Sequence, residues 1–158
     1  MPRRPAVLSV AATILLAGAV LTGCTSTVSL EPAAAANDPG CADVSVRLPG
    51  SIGGEQRRWT DAQATGAWGD PASVILTCGV DELGPTTLPC TAVGGVDWVI
   101  DDSDAPRYRV TTFDRTPAVE IYLDNSVVSS AQVLETLSQV ITILPENGSV
   151  CTDAGTTD

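Results

Sequence analysis

Apolar and polar residues alternate most cleanly from Ala118 to Leu123, where Val119, Ile121 and Leu123 share one parity and Glu120 and Tyr122 the other. A period of two marks a strand with one buried face. The same reading predicts a β-branched central strand at Ser73–Cys78, with others at Val96–Ile100 and Tyr108–Phe113. Val44, Val46 and Leu48 alternate with Asp43, Ser45 and Arg47, as a strand or the start of a short helix, and Pro49-Gly50 stops the pattern. Arg57–Thr60 is a further, weaker strand, Trp68-Gly69-Asp70-Pro71 a turn and Gly84–Pro89 a loop. An acidic loop, Asp101-Asp102-Ser103-Asp104, closes the strand before it. Near the C-terminus the period becomes helical. Val133, Leu134, Leu137, Val140, Ile141 and Leu144 form one apolar stripe. Ser129 is placed to cap that helix, Gln132 to complete a capping box, and Pro145 to end it. The pattern predicts an α+β domain, an antiparallel sheet of about four to five strands covered by the C-terminal amphipathic helix.

The N-terminus follows a different rule. Arg3 and Arg4 precede an unbroken run of small and apolar residues from Ala6 to Val20. At about 15 residues it falls short of the roughly 20 that a spanning helix needs. Leu21-Thr22-Gly23-Cys24 comes next. A basic start, an apolar middle and a small-residue cleavage site make a secretory leader. A cysteine directly after the small residue marks a bacterial lipoprotein, with diacylglycerol on the Cys24 sulfur and palmitate-type acylation holding it stably. Residues 1–23 are therefore expected as the signal peptide and 24–40 as the lipidated cysteine with a flexible Ser/Thr/Ala/Pro tether. Such a tether would stand off by about 20–24 Å. Residues 41–158 are expected as a single small domain with a short C-terminal tail. The expected location is the extracytoplasmic face of the plasma membrane.

Charge and composition narrow the chemistry. The net charge of −11 becomes about −13 once Arg3 and Arg4 leave with the leader. That balance argues against nucleic acid and against electrostatic docking on anionic lipid. There is no histidine and no lysine. Ser-His-Asp and Cys-His nucleophiles, His-ligated metals, Schiff-base lysines and the Ser-x-x-Lys motif are all excluded. No Gly-rich phosphate loop is present, because Gly53-Gly54 and Gly94-Gly95 lack the spacing.

Cys24 aside, Cys41, Cys78, Cys90 and Cys151 remain. An even set in an exported domain predicts two disulfides, and the wide gaps disfavour a zinc site. Proximity in sequence favours Cys78–Cys90 with Cys41–Cys151, one of three possible pairings.

Cys41, Leu48-Pro49, Gly54 and Arg57-Arg58 resemble the opening of an actinobacterial family of exported proteins. Ala67-Trp68-Gly69-Asp70-Pro71, Val74-Ile75-Leu76 and Cys78-Gly79-Val80 continue the resemblance. So do Gly95-Val96-Asp97-Trp98, Thr111-Thr112, Arg115, Ala118-Val119-Glu120 and the helix from Ala131 to Ile143. The family is catalogued as domain of unknown function thirty-five-fifteen. It has no assigned catalytic residue, so none carries over. Shorter members hold only the cysteines matching Cys41 and Cys78. The resemblance thus implies Cys41–Cys78, leaving Cys90–Cys151 as a second pair.

Trp68, Asp70, Asp97, Trp98, Arg115 and Glu120 are the candidate ligand groove, an aromatic-rimmed site in which paired carboxylates would flank a sugar. Asp101, Asp102 and Asp104 lack the spacing of a calcium loop. Arg57-Arg58 is a candidate grip for a carboxylate or phosphate. Asn147-Gly148-Ser149 matches a glycosylation sequon of little meaning in a bacterial exported protein. The expected function is a non-enzymatic envelope lipoprotein that binds another envelope protein or a cell-wall polymer through its sheet, with no cofactor and no metal. A small-ligand or wall-fragment carrier is the alternative, and a carboxylate-only hydrolase comes third.

Overall fold

The computed structural model describes residues 26–152, so the leader and Cys24 lie outside the described residues. The elements run α1 (Pro39–Ser45), β1 (Ser51–Ile52), β2 (Glu55–Arg58), β3 (Thr65–Trp68), β4 (Val74–Val80), β5 (Cys90–Val93), β6 (Val96–Asp104), β7 (Arg107–Thr112), β8 (Ala118–Asp124) and α2 (Ser130–Ile141). The sheet has eight strands in the order β1-β2-β3-β4-β8-β7-β6-β5. Every neighbouring pair is antiparallel. Two four-stranded meanders thus meet at the β4–β8 seam. Residues 81–89 carry the chain from the centre to the far edge.

The expected four to five strands are corrected to eight, for local reasons. β1 is two residues long, and all four residues of β3 are buried, which erases any alternation. β5 starts directly after Pro89 and is half exposed. The acidic stretch is not a loop: β6 runs through to Asp104, which pairs with Arg107 across the hairpin.

α1 replaces the alternative of a strand at Val44–Leu48. Pro39 sits in its first turn and the Asp38 carboxylate accepts from the Gly40 N–H at 2.7 Å, so the first orphan donors are met. α2 forms on the predicted stripe and buries Val133, Leu134, Leu137 and Ile141. Each large aliphatic side chain contributes roughly 1.5–3 kcal/mol of apolar burial. The capping box is not made. Ser129 is the N-cap but its side chain makes no cap bond, and Asn125 Oδ1 accepts from the Ser130 N–H instead. α2 touches both β1 and β5 as well as β8, so the sheet curls around it.

Two disulfides are formed, Cys41–Cys78 and Cys90–Cys151. The first ties α1 to β4, and the second ties the C-terminal segment to the edge strand β5. The sequence separations of 37 and 61 give a loop-entropy contribution of about 4 kcal/mol each. Cys78 is fully buried against α1, which puts it out of reach of Cys90 on the edge strand.

The described part of the expected tether lies against the domain. Val28 forms a parallel bridge with Thr60, and Ala35 N–H donates to the Gly79 carbonyl at 3.0 Å. Ala36 is buried. Gly79 makes this docking possible. Its φ is +91°, and a Cβ there would lie 2.4 Å from the Ala35 backbone.

Candidate functional site

The six expected groove residues do not meet. Trp68 and Trp98 are fully buried core residues. Strand parity puts Trp98 there, on the inward face of β6 with Val96, while Trp68 ends a strand buried on both faces. The Trp68 indole N–H donates to the Pro49 carbonyl at 3.0 Å, and that of Trp98 to Ser138 Oγ at 3.1 Å. Asp70 is exposed and pairs with Arg58 at 2.8 Å. Glu120 lies on the other face of the sheet and accepts from Arg109. Only Asp97 and Arg115 come together, at the end of the sheet where β6 begins and β7 ends. The arginine pair is structural too. Arg57 donates to the Leu48 carbonyl, while Arg58 holds the Gly69 and Ser26 carbonyls.

Asp97 and Arg115 belong to a polar cluster with Asp114 and Glu146, two residues outside the expected groove. Arg115 is 4% exposed. It donates to the Gly95 carbonyl at 2.6 Å and pairs with Glu146 at 3.1 Å and Asp114 at 3.5 Å. Its Nε has no hydrogen-bond partner among the described residues. The Asp114 carboxylate accepts from the Asp97 N–H at 3.2 Å. Burial pushes the Asp114 carboxyl above the usual carboxylate range, and the neighbouring Asp97 charge adds to this, while Arg115 and the Asp97 N–H oppose it. Asp97 in turn accepts from the Cys151 N–H at 2.7 Å. A charge this buried needs partners, and the cluster supplies them.

What the cluster positions is a cleft. Asp97 and the Cys90–Cys151 bridge hold the C-terminal segment against the start of β5. The Pro89 carbonyl accepts from the Ile100 N–H at 2.8 Å, which fixes the loop before it. Between them opens a cleft of about 630 Å³, walled by residues 85–90 and 150–152 with Phe113 beside them. Leu88 and Val150 stand exposed in its wall. Among the described residues its lining holds prolines, threonines, Leu88, Val150, Phe113 and the disulfide, and no ionisable side chain. Asn147 of the sequon donates from its side chain to the Phe113 carbonyl at 3.2 Å. Among the described residues no group of three or more His, Cys, Asp or Glu side chains is arranged to hold a metal ion. No helix of the described residues is long and apolar enough to cross a membrane.

The family model described as Protein of unknown function (DUF3515) matches residues 5–148. The chain belongs to the DUF3515 family. The match takes in the apolar N-terminal run as well as every strand and both helices. It ends before Cys151, so one half of the second disulfide lies outside the part shared with DUF3515. No curated protein and no solved structure matches the chain.

Proposed function

We propose that this DUF3515 protein is an envelope lipoprotein, anchored through Cys24 on the outer face of the plasma membrane. In this reading it acts without catalysis, as a binding module for a segment of another envelope protein. The observation that carries the binding role is the cleft beside the Cys90–Cys151 bridge. Among the described residues it is apolar and hydroxyl-lined, carries no ionisable side chain, and has exposed Leu88 and Val150 in its wall. An extended peptide suits such a surface, with apolar anchors seated and backbone groups met by threonines.

The hydrolase reading loses its support. A glycosidase needs two carboxylates facing each other across a cleft. Here Asp97 holds the Cys151 N–H, Asp70 holds Arg58 and Glu120 holds Arg109, on different parts of the sheet.

The test is a photo-crosslinking side chain at Leu88 in intact cells, beside a control at Val127, which is also exposed but lies just before α2. A discrete protein adduct from Leu88 alone is expected. The same adducts from both positions, or an adduct to wall polymer in place of protein, would contradict the proposal.

A further inference from the structure

Two exposed apolar side chains stand where the chain enters the domain. Trp59 and Val46 are each 78% exposed, more than any other large apolar residue described. The two other tryptophans, Trp68 and Trp98, are fully buried. Trp59 directly follows β2 and its carbonyl accepts from the Val28 N–H at 2.8 Å, so it lies beside the incoming chain. Arg57, two residues earlier on the same side of the extended chain, donates to the Leu48 carbonyl at 3.1 Å and reaches the Ser45 carbonyl at 3.5 Å. Those two carbonyls flank Val46. Arg57 thus links the strand that leads into Trp59 to the segment that carries Val46.

The covalent chain says what covers Trp59 and Val46. Ser26 is held by Arg58, its carbonyl at 2.6 Å and its hydroxyl at 2.7 Å from the guanidinium. Cys24 is two residues further, which is at most about 7 Å of chain. An acyl group on Cys24 would hold Ser26 and its neighbours within reach of the bilayer–water interface, a layer into which apolar faces sink roughly 5–10 Å. An exposed indole suits that layer, with an apolar ring and a polar N–H.

We infer that Trp59 and Val46 seat the domain on the interface of the membrane that carries the Cys24 anchor. The inference rests on the lipoprotein reading. The seat is not electrostatic. Arg47 is paired with Asp43 and Arg58 with Asp70, and Arg57 is engaged with carbonyls. The seat fixes orientation, while the acyl chains supply affinity. The cleft adjoins β5, at the other end of the strand order from the anchored edge.

The test uses protein extracted from membranes and reconstituted into phosphatidylcholine vesicles whose acyl chains carry bromine, which quenches tryptophan only at contact. Flotation reports the anchor and quenching reports the seat. The expected result is flotation with quenching, loss of that quenching in Trp59→Phe and its weakening in Val46→Asp. Both positions are exposed, so neither substitution disturbs the core, and the buried Trp68 and Trp98 still report a folded domain. Flotation without quenching, or quenching that survives in Trp59→Phe, overturns the seat and leaves the anchor standing. Failure to float overturns the anchor and the seat with it.

Discussion

Ser138 is fully buried on α2, between Trp98 and the end of β5. Its hydroxyl accepts from the Trp98 indole at 3.1 Å and donates to the Val93 carbonyl at 2.7 Å. Ser138→Ala leaves the buried Trp98 indole N–H without its partner, and leaving a buried polar group unmet costs about 1–3 kcal/mol. A lower urea midpoint with an unchanged slope is expected; an unchanged midpoint would mean that neither bond matters. Asp114 acts in the opposite sense from an ordinary paired carboxylate. Burial, the larger cause, raises its folded pKa above 3.8, so the fold takes up a proton before the unfolded chain does. Its contribution is therefore present below the unfolded value and is lost as pH rises through the folded one. Asp114→Asn keeps an acceptor for the Asp97 N–H and removes the titration. Relative to wild type, the Asn variant should be less favoured near pH 4 than at pH 7, measured by thermal unfolding at both. An equal difference at the two pH values would contradict the assignment. The tryptophans teach a related lesson. As residue types they suggested a groove, yet the parity of Val96 and Trp98 already assigned Trp98 to the core. Glu146 carried no such signal, because its meeting with Arg115 depends on how the segment after α2 returns, and Asp114, though next to Arg115 in the chain, is singled out only by its burial.

At the scale of elements, β4, β6, β7, β8 and α2 were legible because each buries one face and its sequence keeps the matching period. β1, β3 and β5 were not, being too short, buried on both faces or held by neighbours rather than by pattern. Docking of residues 26–38 was illegible for another reason. It depends on backbone bonds and on one close approach at Gly79, and an Ala/Pro-rich sequence shows neither. Gly79→Ala is expected to lift that segment. Amides of residues 28 and 35, which donate to Trp59 and Gly79, should exchange with deuterium much faster, while those in α2 change little. Protection of residues 28 and 35 that matches wild type would show that the close approach is not what holds the segment. If the segment does lift, the distance from Cys24 to Trp59 is no longer constrained, and the orientation on a bilayer should loosen with it.

For the whole molecule, the chain's net charge of −11 works against compaction, and two disulfides offset that repulsion in a small domain. Two meanders wrapped around one helix place the chain's entry near β2 and the cleft beside β5, at opposite ends of the strand order. In the proposed function one edge would hold the membrane surface and the other would present the cleft to a partner. The most direct test is the intact mass of the protein purified from membranes, with fragmentation of its N-terminal peptide, alongside Cys24→Ala. A mature chain beginning at Cys24 with diacylglycerol on its sulfur is expected, together with a Cys24→Ala protein that leaves the membrane fraction. An unmodified Cys24, or a Cys24→Ala protein retained and processed as before, would contradict the lipid anchor.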